Sequence, residues 1–143
     1  MTLVRRSDWR SQLSACVVKA LKQPFEWGRH DCALFAANAI LAMTGEDLAR
    51  GYRGRYRTAA GAARTLQKEG FGSSEALAEQ LFDEIAPVLA VDGDICLVDG
   101  PEGPTLGIVL GEVIAAPGPE SLRFLPRQSA VRAFHLPFEG EDR

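Results

Sequence analysis

Cys32 is the residue of this 143-residue chain best placed to do chemistry. It follows Asp31 at the head of the apolar run Ala33 to Thr44 and stands two residues after His30. Asp31 suits a helix N-cap, because its carboxylate can accept from a backbone N–H of the first turn. Gly45 suits the left-handed residue that closes a helix. Leu34, Phe35, Ala37, Ile40, Leu41 and Ala42 leave almost no polar face, which predicts a helix buried nearly all round. A thiol on the first turn of such a helix meets free N–H groups and the positive end of the dipole, both of which stabilise a thiolate. The chemistry this offers is nucleophilic attack on a carbonyl carbon. The competing reading is a small buried hydrophobe, the usual employment of a free cysteine.

A thiol nucleophile needs a base within hydrogen-bond reach. His30 and His135 are the two histidines of the sequence and therefore the two candidate bases. The His30 ring reaches Cys32 only if the preceding loop folds back. His135 falls on the last expected strand, where sheet order decides its neighbours. Candidate binding residues flank the nucleophile in sequence. Trp27, before Gly28, is either core or the wall of a groove. In the run Gly51 to Thr58, Arg53, Arg55 and Arg57 alternate with Tyr52, Gly54 and Tyr56. An extended segment would turn those guanidinium groups to one side, as a clamp for a carboxylate or phosphate. The other reading is a solvated loop whose arginines cap helices or pair with nearby acids. Trp27, Arg53, Arg55 and Tyr56 are thus the candidate substrate-binding set.

The elements that must position these residues can be read from periodicity and punctuation. Ser7 to Leu21 predicts an amphipathic helix with Trp9, Leu13, Cys16, Val17, Ala20 and Leu21 on one face, capped at Ser7 or Asp8 and stopped by Pro24. Thr58 to Gly70 predicts a short helix with Ala59, Ala62, Ala63 and Leu66 inward. Ser74 to Phe82 predicts another, with Leu77, Leu81 and Phe82 inward, and Pro87 ends the helical half. Strands are expected within Val91–Asp99 and at Thr105–Leu110, Val113–Ala116, Leu122–Pro126 and Val131–Leu136. Gly100 to Pro104 marks a turn between the first two. Helices first and closely spaced strands afterwards predict an α+β domain with a curled antiparallel sheet. Cys16 and Cys96 belong to apolar stretches and are read as core. One domain is expected over residues 1–138, followed by a frayed acidic tail at 139–143.

Composition narrows the function classes. Hydrophobic content of 46%, charged content of 24% and a formal net charge of −3 fit a globular protein and give no field for nucleic acid. The apolar run Ala33–Met43 is about half of a membrane span, so no insertion is expected. The start of the chain lacks a signal-peptide pattern, which leads to an expected cytoplasmic location in the producing cell. Three widely spaced cysteines argue against a disulfide framework or a zinc cluster, and no cofactor is expected.

An aromatic-Trp-Gly segment before Asp-Cys, a later Gly-Asp pair opening a strand, and a Gly-Ile-x-x-Gly hairpin occur in one order here. They are Phe25, Trp27, Gly28, Asp31 and Cys32; Gly93-Asp94; and Gly107-Ile108 to Gly111. Over roughly residues 25 to 116 this resembles the NlpC/p60 type of papain-like cell-wall peptidase. A closer resemblance is to an NlpC-like group of phages and prophages, through W-G-x-x-D-C-x-x-F-A-A at Trp27 to Ala37, R-G-x-Y at Arg53 to Tyr56, and Gly93-Asp94. The resemblance implies a papain-like fold, phage tail or baseplate proteins as partners, incorporation into a virion tail, and peptidoglycan peptides as substrate with Cys32 as nucleophile. The family's base histidine precedes the Gly-Ile of the second strand; this sequence has Thr105 and Leu106 there. Two functions are therefore expected in competition: a tail-associated cysteine peptidase or amidase, and a catalytically inactive structural or adaptor protein of a tail assembly. A third, acyl transfer, needs the same residues as the first.

Overall fold

Local signals set the helices of the computed structural model, which describes residues 3–70, 73–100 and 103–141. Helix α1 covers Trp9–Ala20, α2 Cys32–Thr44, α3 Ala59–Lys68 and α4 Ser74–Leu81. Three of the four carry a side-chain cap: Asp31 accepts from Leu34 N–H, Thr58 from Gly61 N–H and Ser73 from Ala76 N–H. At α1 the N-cap is Asp8, which makes no side-chain cap bond. Gly45 closes α2 at φ +85°, as the left-handed cap requires. Two inward assignments fail: Ala63 on α3 is exposed, and Leu21, just past α1, is 46% exposed.

The described strands are β1 (Asp83–Ile85), β2 (Ile95–Gly100), β3 (Gly103–Leu110), β4 (Val113–Pro117), β5 (Leu122–Pro126) and β6 (Arg132–His135). They form one antiparallel sheet in the order β1-β6-β2-β3-β4-β5, so the domain is α+β with four helices and six strands among the described residues. Strand β1 was not expected from the sequence. It follows α4 directly and exists because its three residues pair with Ala133 to His135 of β6. Of the expected turn at Gly100–Pro104, residues 101–102 lie outside the described residues.

Helix α2 is the centre of the core. Leu34, Phe35, Ala36, Ala39, Ile40 and Met43 are all buried, and α2 packs on α1 and across β3 and β4. Strand β2 is buried on both faces. Ile95 and Leu97 join the helical core, while Cys96 and Val98 join a smaller cluster with Ala90, Val109, Ile114 and Ala133 on the other side. That alternation follows from the two-residue period of a strand.

A buried ionic knot ties the ends of the fold together. The Arg5 guanidinium lies between the rings of Trp9 and Phe138, bonds the Leu136 carbonyl at 2.9 Å and pairs with Asp94 at 2.8 Å. Asp94 also accepts from Val91 N–H and Leu136 N–H. Gly93 sits at φ +87°, and a Cβ there would fall 2.6 Å from the Arg5 guanidinium and 3.0 Å from Met43 and Trp9. The Gly-Asp pair is thus a structural joint between the start of β2, the end of β6 and the N-terminal segment. Beyond Phe138, the Glu141 carboxylate accepts from Phe138 N–H and faces His135. Residues 142–143 of the expected tail lie outside the described residues.

Candidate functional site

Asp31 organises the site. Its carboxylate is 1% exposed and takes three hydrogen bonds: from Leu34 N–H at 3.0 Å, from Gly28 N–H at 3.0 Å and from the Tyr56 hydroxyl at 2.7 Å. One buried anion therefore fixes the start of α2, the Trp27-Gly28 loop and the loop that ends at Tyr56. Gly28 stands at φ +87°, where a Cβ would meet the Tyr56 carbonyl oxygen at 2.0 Å. Its own carbonyl accepts from Gly54 N–H at 2.9 Å. Glycine is required here both by backbone conformation and by close approach. Burial pushes the Tyr56 phenol up, and the neighbouring Asp31 carboxylate adds to that direction, so the hydroxyl remains a donor.

Cys32 is half-buried on the first turn of α2 and lines a pocket of about 70 Å³. The walls come from α2, α3 and α4, with Trp27, Tyr52, Tyr56, Leu77 and Phe82 among the lining residues, and from the sheet through Ile95 and Leu106. The sequence reading placed the thiol where a helix terminus lowers its pKa. The structure corrects this: burial pushes the Cys32 thiol up, and the Asp31 carboxylate pushes the same way. Backbone amides of Leu106, Ala33 and Cys32 itself act in the opposite sense but do not win. Desolvation of an anion in an apolar pocket outweighs the partial charges of the helix end.

Neither histidine lines this pocket. His30 is buried, with Nε2 3.0 Å from the carbonyl oxygen of Ser121, so Nε2 carries the proton that is donated. Its ring meets Phe35 edge to face, and Nδ1 has no partner among the described residues. His135 stands at the ionic knot, with Nδ1 2.8 Å from Asp94 and Nε2 3.0 Å from Glu141. Burial lowers its pKa, but the Glu141 and Asp94 carboxylates outweigh burial and the net direction is upward. An imidazole held between two carboxylates has both nitrogens occupied, and its protonated form donates to both. The two candidate bases are thus engaged elsewhere; from β3 the buried Leu106 lines the pocket, and its backbone amide lies against the thiol.

The four candidate binding residues divide. Trp27 and Tyr56 line the Cys32 pocket. Arg53 pairs with Asp47 at 3.0 Å instead. Arg55 lines a second, open pocket on the outer side of α3. The segment that carries them is not extended: Arg53 N–H bonds the Ala49 carbonyl, Arg55 N–H bonds the Tyr52 carbonyl, and Gly54 turns at φ +69°. Glycines at 51 and 54 favour turns over a strand, so the alternation of arginines has no sheet to express it. The sequence reading missed Asp31 as more than a cap. The signal was there in Gly28, Asp31 and Tyr56, but Asp31 and Tyr56 stand 25 residues apart along the chain. Among the described residues, no group of three or more His, Cys, Asp or Glu side chains forms a metal-binding set.

A family model described as a domain of unknown function, DUF6950, matches residues 4–136. The chain belongs to the DUF6950 family. The matched span starts just before Arg5 and stops at Leu136, the two residues that the ionic knot joins. It takes in the DUF6950 domain's Asp31 hub and Cys32 pocket in full. No curated protein matches the chain. No helix among the described residues is long and apolar enough to cross a membrane.

Proposed function

We propose that the DUF6950 domain is a papain-like scaffold of NlpC/p60 type that keeps the cysteine of the peptidase but not its base, and serves as a structural or adaptor component of a phage or prophage tail assembly. The tail context rests on the resemblance of Trp27 to Ala37, Arg53 to Tyr56 and Gly93-Asp94 to tail-associated NlpC-like proteins. The observation that carries the inactive reading is the pocket around Cys32. Its thiol is raised by burial, the β3 group nearest to it is the backbone amide of Leu106, and no imidazole lines the pocket. Amide hydrolysis needs a thiolate at neutral pH and a base that returns the proton to the leaving amine; burial opposes the first, and neither histidine lines the pocket to serve as the second.

The competing reading, a cysteine peptidase or amidase, draws support from the backbone amides gathered near Cys32, which could hold an oxyanion. Purified protein incubated with peptidoglycan separates the two. The adaptor reading expects no released stem peptides from the wild type. It also expects tail particles to assemble normally with Cys32→Ser, and defectively when the Gly51–Arg57 loop is replaced by a flexible linker. Peptide release by the wild type that Cys32→Ser abolishes would overturn it.

A further inference from the structure

The segment Arg50 to Lys68 carries six cations and no carboxylate in a chain whose net charge is −3. Arg53 is neutralised by Asp47. Elsewhere Arg5, Arg10, Arg29 and Arg132 each meet at least one acid. Arg55, Arg57, Arg64 and Lys68 form no salt bridge among the described residues, and all four line one open pocket of about 220 Å³. Gly61, Arg64 and Lys68 recur at helical spacing on the outward face of α3, and Arg57 stands just before its N-cap Thr58. Gly61 is the floor: with no side chain, it leaves a hollow where a Cβ would stand 3.0 Å from Tyr56 and 3.2 Å from the Thr58 hydroxyl. That hydroxyl accepts from Gly61 N–H and keeps its own proton free to donate.

Four like charges around one hollow repel each other, and Arg64 and Lys68 do so at i,i+4 on the same helix. Folding gains nothing from that arrangement, whereas a bound anion relieves it. We propose that this pocket is a binding site for a phosphate-bearing ligand, a phosphate monoester or a pyrophosphate group. A doubly charged tetrahedral group offers oxygens to several guanidinium forks at once, whereas a lone carboxylate has one charge and matches one fork. The first turn of α3 adds a favourable dipole at the Thr58 end. The site is separate from the Cys32 pocket, sharing only the Tyr56 side of the wall, and does not depend on what the thiol does.

The probes are inorganic phosphate and pyrophosphate, titrated into full-length protein at low ionic strength and followed by amide NMR shifts and calorimetry. Saturable pyrophosphate binding is expected, tighter than phosphate, with shifts centred on Arg55 to Thr65. The double variant Arg57→Gln/Arg64→Gln removes two exposed side chains and should weaken binding at least tenfold. The charge-matched control Lys19→Gln/Lys22→Gln, on exposed positions around the end of α1, should change it less than twofold. Vesicles containing phosphatidylglycerol distinguish the source: vesicle binding displaced by pyrophosphate identifies a lipid-borne phosphate, and pyrophosphate binding without vesicle binding identifies a free one. Either result supports the pocket. Equal weakening by both double variants would overturn it. So would binding of vesicles or duplex DNA without any saturable pyrophosphate binding, because each marks a diffuse field.

Discussion

Replacing Tyr56 by phenylalanine removes one oxygen and leaves the ring packed against Leu34, Ala37 and Ala49. The loss falls on the 2.7 Å bond to Asp31, where Tyr56 is 8% and Asp31 is 1% exposed, so water does not replace the donor freely. Hydrogen bonds to a charged partner contribute roughly 1.5–3 kcal/mol. Because Gly28 and Leu34 continue to donate to the carboxylate, a value near 2 kcal/mol follows. At about 2.1 cal/mol/K per residue, 143 residues have an unfolding entropy of roughly 0.3 kcal/mol/K, so Tyr56→Phe should lower Tm by about 7 °C. Thermal and urea melts followed by circular dichroism measure this, with Trp27 fluorescence reporting the adjoining loop. Asp31→Asn should cost more, roughly 3 kcal/mol, because it turns an amide N–H toward the donors that the carboxylate accepts from. The double variant should then show a coupling of about 1–2 kcal/mol between the two positions. If Tyr56→Phe melts within 1 °C of the wild type, or the two losses simply add, Asp31 is not the hub described above.

The remaining predictions concern glycine, titration and thiol reactivity. Gly28→Ala and Gly54→Ala both place a side chain at positive φ, which costs about 1–2 kcal/mol. Only Gly28→Ala also meets the Tyr56 carbonyl at 2.0 Å, so it should cost roughly 3 kcal/mol in total, and equal melting of the two variants would disprove the close approach. The His135–Glu141 pair adds stability that is lost at both ends of a pH window. His135 is raised above its ordinary 6.5, so its share is full below that value and disappears as pH climbs through the folded pKa. Glu141 is lowered from its ordinary 4.5, so its share is full above that value and disappears on acidification. The gap between wild type and Glu141→Gln should therefore be widest between about pH 4.5 and 6.5. It should stay under about 1 kcal/mol because Glu141 is solvent-screened; a gap that keeps growing above pH 8 would contradict the pairing. Iodoacetamide should alkylate native Cys32 more slowly than free cysteine at pH 7.5, and Cys96, pushed up to about 12 by burial, only after unfolding. Mass spectrometry of timed digests gives both rates, and a Cys32 faster than free thiol would return the hydrolase reading to first place.

What could be read from residues alone was local. Asp31 and Gly45 mark the ends of α2 through bonds that reach three or four residues, and each does so in the structure. The strands from β2 to β6 announced themselves by apolar runs between turns. What could not be read was non-local pairing. Asp83–Ile85 is short and mostly polar, and becomes a strand only because β6 offers it an edge. His135 looked available as a base until sheet order put Asp94 and Glu141 on its two nitrogens. Arg53, Arg55 and Arg57 do all face solvent, but for a reason other than strand alternation: Arg53 turns to Asp47, while Arg55 and Arg57 line one open pocket.

The residues that carried the family resemblance now have separate physical accounts, and that separation bears on function. Gly28 is fixed by its positive φ and by the Tyr56 carbonyl, Asp31 by three donors, Tyr56 by Asp31, and Gly93-Asp94 by Arg5, Trp9 and the end of β6. Each of them would be needed by a protein with this fold that had no reaction to perform. A match on those positions is thus evidence about architecture, and it cannot be counted a second time as evidence of catalysis. Cys32 differs: its burial explains a raised thiol but not why sulfur rather than a methyl group lines the pocket. Cys32→Ala isolates that remainder. Nothing in the packing requires the sulfur, so the variant should lose only the roughly 1 kcal/mol of a small cavity. A loss of several kcal/mol would make the thiol a structural part, and an unchanged fold with impaired tail assembly would assign the sulfur a task in a partner's interface.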